Sequence, residues 1–145
     1  YNYRAKNTDR MIKTFTFALQ IAVTIMVVVA IVMEMIPGVI LNIFNASESM
    51  LSMGITALKI ICIHFPIAAF CIVTGSLFQA LGKATYSMIN SIMRQLVVLL
   101  PVAYLLGLTG NVNNVWWAFP IAELASATVT SIFYIRIKKT IISKI

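Results

Sequence analysis

Four long apolar runs, separated by short polar turns, organise the chain: residues 15–44, 51–81, 86–108 and 114–136. Each is long enough to cross a bilayer, which takes about 20 apolar residues at ~1.5 Å of rise apiece. A backbone in lipid must satisfy its own hydrogen bonds, so runs of this kind are expected to be helical. The pattern predicts an all-α, polytopic transmembrane helix bundle of four spans over residues 14–137. Residues 1–13 are polar and basic and are expected to form a loop, and 138–145 a basic tail. The second run is long enough to tilt or kink.

The last run shows the grammar most fully. It opens on Trp116 and Trp117, where an aromatic belt meets the membrane surface. Ala118, Ala122, Ser126 and Thr130 recur every fourth residue, a strip of small side chains that admits another helix closely. Within it fall Pro120 and the carboxylate Glu123. Every run holds or ends on one proline: Pro37, Pro66, Pro101, Pro120. Proline frees a carbonyl and kinks a helix. Repeated four times, it points to broken or bending helices around a cavity, as in transporters, over plain tolerance of proline in membrane helices.

Composition then excludes whole classes. Only 10% of residues are charged against 61% hydrophobic, too few charges to coat a soluble domain. The net charge of +7 does not mark a nucleic-acid surface, because the basic residues cluster at the ends of apolar runs. Arg4, Lys6, Arg10 and Lys13 precede the first run, Lys83 lies between the second and third, and Arg136, Lys138, Lys139 and Lys144 close the chain. Turns 45–49 and 107–114 carry no Lys or Arg. The positive-inside rule then puts both ends in the cytoplasm, in a multi-pass cell (inner or plasma) membrane protein. Lys59 is expected near the outer end of the second span, its stem snorkelling.

Cys62 and Cys71 stand nine residues apart in one run, a spacing that cannot face one partner on a helix, and are expected to pack as small apolar groups. No metal spacing, phosphate loop or hydrolase motif is present, so no enzyme, metal or cofactor is expected. The chain opens YNYRAKNTDR without an initiator Met, as a piece of a longer protein would.

Charges at membrane depth cost several kcal/mol and face a cavity or a partner. Glu123 is the deepest carboxylate, either a proton- or ion-exchanging group or a link to a neighbouring helix. His64, two residues before Pro66, is a cavity or relay candidate set against a packing histidine. Arg94, with Gln95, meets an anionic group or pairs with a carboxylate. Gln79 is a weaker candidate for the cavity wall, and Glu34, near Pro37, is expected at the interface. Eight Met and eight Phe suit either a soft lining for lipophilic cations or plain lipid-facing packing.

Three segments carry a resemblance. YNYRAKNTDR resembles the GYNYGAKN-type segment ending the second helix of a lobe in the multidrug and toxic compound extrusion (MATE) transporters. FQALGKATYSMINSIMRQLVVLLP resembles that family's loop and eleventh helix, and WWAFPIAE the opening of its twelfth. The order and spacing agree over essentially the whole chain. The resemblance implies helices nine to twelve of a twelve-helix protein with two pseudo-symmetric lobes, exporting amphipathic cationic small molecules by H+ or Na+ antiport. It implies as partners the bilayer, those cations, and the N-terminal lobe and first C-lobe helices. Arg4 stands where the family pattern usually has Gly. The second run lacks the carboxylate that some Na+-coupled members place there, which puts a sodium site at that position in doubt. A lipid-linked sugar flippase, with similar lobes, would need a strongly basic cavity, and only Arg94 and Lys59 are at hand. A non-transporting membrane subunit is the other alternative, with Glu123 and the small-residue strip as glue.

Overall fold

The computed structural model describes residues 7–142 and, among them, contains helices and turns and no strand. Arg4, Lys6 and Lys144 lie outside the described residues. α1 (Thr8–Met35) and α2 (Pro37–Ile43) form the first span; α3 (Glu48–Cys62) and α4 (Phe65–Ala80) the second. α5 (Ala84–Ile92), a π-helical segment (Met93–Leu99) and α6 (Leu100–Gly107) run on as the third. α7 (Val112–Val115) and α8 (Ala118–Thr140) make the fourth. Three of these spans are long and apolar enough to cross a membrane, and four when the bent α3–α4 pair counts as one.

Local chemistry sets the ends. Helix starts leave backbone N–H groups without partners, and side-chain oxygens supply them. Asn7 Oδ1 accepts from the Arg10 N–H at 3.0 Å, inside the stretch expected to be loop, so α1 begins there. Ser47 Oγ and Asn111 Oδ1 cap α3 and α7 likewise, at 3.4 and 2.9 Å. At the other end of the second span, Gly82 takes φ +72, a conformation glycine enters freely. Its N–H bonds the Gln79 carbonyl at 3.0 Å and the Lys83 N–H bonds Phe78 at 2.8 Å, a Schellman closure that stops α4 and reverses the chain into α5.

The four prolines fall alike. Pro37, Pro66 and Pro101 sit at the first or second position of α2, α4 and α6, and Pro120 in the first turn of α8. At Pro37, Pro66 and Pro120 a proline is tolerated because its missing N–H has no intrahelical partner to lose. The third span instead runs through Pro101 as one helix, Ala84–Gly107. The axes of α3 and α4 bend by 53° across Ile63 and His64. Lys59 occupies the last turn of α3 beside that bend, exposed, where a cation favours the helix's carbonyl end.

α8 supplies the seam of the bundle and packs on α4, the π segment, α5 and α6. Ala118, Ala122, Ser126 and Thr130 are all nearly or fully buried, as the four-residue strip predicts. Cys71 and Thr74 of α4 are buried too, with the Cys71 thiol beside Ser126, Thr130 and Glu123. Both cysteines are free and buried. The hydroxyls of Thr74 and Thr130 have no hydrogen-bond partner. Outside the seam, α1 turns Phe17, Ile21, Ile25, Val28 and Ile31 outward, an apolar surface suited to lipid.

One end of the bundle is closed by an apolar cluster: Met11 of α1, Phe78 and Leu81 from the end of α4, and Ile137 and Ile142 from the end of α8. Phe133 and Tyr86 join it with ring centroids 4.6 Å apart, and Phe15 stacks on Tyr134 at 5.6 Å. This packing brings Arg10, Lys13, Lys83, Arg136, Lys138 and Lys139 to one end.

The seam predicts opposite effects at one residue. Thr130→Val removes an unpaired buried hydroxyl at constant shape and is expected to leave stability unchanged or raise it by about 1 kcal/mol. Thr130→Leu overfills the contact and is expected to cost about 1–3 kcal/mol. Ile132→Leu, on the exposed face, is expected to do neither. Thermal unfolding of the detergent-solubilised protein reads all three.

Candidate functional site

Three elements converge below the proline of α8. Pro120 lies in the first turn of that helix, and three residues later Glu123 points inward, 3% exposed. Such a carboxylate needs a partner, because burying an unpaired charge is prohibitive. Arg94 provides it: its Nη1 donates to Glu123 Oε2 at 3.3 Å. The contact uses one of five guanidinium N–H donors and is longer than a tight charge-assisted bond of about 2.7–2.9 Å. Glu123 Oε1 is buried and has no hydrogen-bond partner. Arg94 keeps more contact with its surroundings, its side chain being 27% exposed.

The backbone around Arg94 explains how it reaches α8. Pro101 has no N–H, and its ring would strike the carbonyl four residues back in a regular helix. The preceding turns widen to π geometry, with the Leu100 N–H bonding the Gln95 carbonyl, five residues back. Such insertions are frequent at functional sites. In this wider turn Arg94 and Leu99, five apart, face the same cavity.

That cavity holds about 190 Å3 and is lined by Arg94, Gln95 and Leu99 from the π segment, Phe119, Ala122 and Glu123 from α8, and His64 and Ala68. His64 stands at the α3–α4 bend, its ring edge-on to Phe65 with centroids 5.5 Å apart. Its Nδ1 is buried without a hydrogen-bond partner. Glu123, Arg94 and His64, distant in sequence, are therefore brought to one cavity. Gln79 is not. It lines a second cavity of about 180 Å3 between α4 and α5, where its Nε2 donates to Ser87 Oγ at 3.1 Å. Asn90, Ser91 and Arg94 line this second cavity as well. Arg94 is the wall between the two. Asn90 is buried and accepts from Ser126 at 3.2 Å, a second polar tie to α8. Neither it nor Ser126 stood out in the sequence as a pair, since 36 residues separate them.

Glu34 lies in the last turn of α1, exposed in an apolar groove with Cys62, Ile63 and Pro66. Among the described residues no group of three His, Cys, Asp or Glu side chains is placed to hold a metal ion.

A multi-helix apolar bundle, with prolines in each span and a part-buried ion pair between two cavities, defines a polytopic membrane protein. The MatE family model matches residues 1–105, and the chain belongs to that family, whose members are membrane efflux transporters and not enzymes. A solved structure named "protein A" is similar, with a TM-score of 0.84 and 30% identity over 95% of this chain. The chain spans 31% of that protein's length. No curated protein matches it by sequence. Glu123 lies beyond the residues that the family model matches.

Breaking the pair from its cationic side strands a buried charge. Arg94→Ala is expected to destabilise the protein by about 1–3 kcal/mol, and Gln95→Ala, at an exposed neighbour, by far less. Thermal unfolding of the two variants side by side makes the comparison.

Proposed function

We propose that this chain forms roughly the last third of an efflux antiporter that exports amphipathic cationic small molecules in exchange for H+ or Na+. Family membership supports transport. The observation that carries a coupling role is the carboxylate of Glu123, buried beside a cavity with one oxygen paired and the other without a hydrogen-bond partner. A carboxylate so placed holds a small cation where water is scarce, and binding or release of that cation changes the charge inside the bundle. His64, Arg94 and Gln79 are proposed as wall residues of the cavities. The Arg94 contact also favours a second role for Glu123, as a link between the third and fourth spans. A flippase reading is disfavoured: Arg94 is neutralised by Glu123 and Lys59 lies on an exposed face, which leaves no strongly basic lining among the described residues.

The protein is proposed to lie in the cell membrane with its basic end in the cytoplasm. Cysteines placed at Ser49 and at Lys83 report the orientation. A membrane-impermeant maleimide is expected to label Ser49→Cys on intact cells and Lys83→Cys only after permeabilisation, and the reverse result would invert the topology.

Glu123→Gln in the full-length transporter separates coupling from linkage. Coupling predicts at least a tenfold loss of cationic-dye efflux with unchanged yield and melting temperature. Linkage alone predicts that the protein accumulates poorly or melts early, with efflux per folded molecule retained.

A further inference from the structure

The ion pair is built as though it were meant to come apart. Its one hydrogen bond is 3.3 Å long, and Glu123 Oε1 receives none. On the far side of Arg94 lies the second cavity, of about 180 Å3, into which the same side chain already faces. Its polar lining is neutral apart from Arg94 itself: Ser76, Gln79, Ser87, Asn90 and Ser91 bring hydroxyl and amide oxygens and no carboxylate. Gln79 donates to Ser87 Oγ, and Ser91 donates to the Ser87 carbonyl, so hydroxyl lone pairs remain to accept from a guanidinium.

We propose that Glu123 is a cation-exchange site whose resident cation is the Arg94 guanidinium. An incoming proton or sodium ion takes the carboxylate, and Arg94 is released into the neutral cavity on its other side. When the small cation leaves, Arg94 returns, so the carboxylate is never stranded in lipid without a countercharge. The groups that face Glu123 from the elements packed on α8 are Arg94, His64 and the Cys71 thiol. His64 lines the same cavity as Glu123. Arg94 is thus a positioning residue that sets how tightly the coupling ion binds. This rests on the reading of Glu123 as the coupling carboxylate.

Cation binding is measured on the purified full-length transporter by tryptophan fluorescence, first on lowering pH, then on adding NaCl at fixed pH. The wild type is expected to show a saturable transition that Glu123→Gln abolishes. Arg94→Ala removes the competing cation, so the transition should move to at least tenfold lower cation concentration, about one pH unit upward for protons. Ser87→Ala with Ser91→Ala removes acceptors from the receiving cavity. It should move the transition the opposite way by two- to fivefold, and it leaves the ion pair untouched. Arg94→Lys keeps the charge and should fall between wild type and Arg94→Ala, which serves if the alanine variant does not fold. A transition that survives in Glu123→Gln overturns the coupling reading itself, and the exchange with it. A transition lost in Glu123→Gln but unmoved by the serine pair, or moved in the same direction as by Arg94→Ala, overturns the exchange alone.

Discussion

Inside a bilayer no water replaces a missing backbone hydrogen bond, and that scarcity governs this bundle. Four prolines delete four donors; Pro37, Pro66 and Pro120 stand in the first turn of a helix, where no ladder bond is lost, and at Pro101 the helix runs on by widening to π geometry. The irregular points of the spans follow from that placement. At Pro66 it produces the bend that seats His64, and upstream of Pro101 it produces the widened turn that carries Arg94. The site is therefore a by-product of backbone accounting: its histidine and its arginine stand at the irregular points of two neighbouring spans. Its carboxylate follows one turn after the irregular point of a third.

Much of this was legible along the chain. Apolar runs of bilayer length carried the helices, and the four-residue period of Ala118, Ala122, Ser126 and Thr130 marked the face of α8 that is buried. A period within one helix needs no knowledge of neighbours. The partner of Glu123 was different. Arg94 stood open between a carboxylate and an anionic ligand because pairing depends on which spans adjoin and on the register of the turn before Pro101. A one-residue widening of that turn swings every side chain upstream of it, and nothing short of coordinates reveals it. Lys59 shows the same limit: its distance from the start of the run was countable, but not that it would stand one turn before the bend at Ile63 and His64.

On α8, polar ties to the third span are few and close together. Glu123 with Arg94, and Ser126 with Asn90, tie α8 to the third span within one turn of each other. The seam elsewhere relies on close approach of small residues, even at the cost of two hydroxyls left without partners at Thr74 and Thr130. Packing holds the helices together there, and charge is reserved for the cavity wall.

The cluster of Met11, Phe78, Leu81, Ile137 and Ile142 has a geometric corollary. It joins the start of the first span to the finish of the last at one end of the bundle, whereas along the rest of its length α1 packs on α4 and α4 packs on α8. The first span therefore reaches the last mainly through the second, and a tilt of α4 is felt by both.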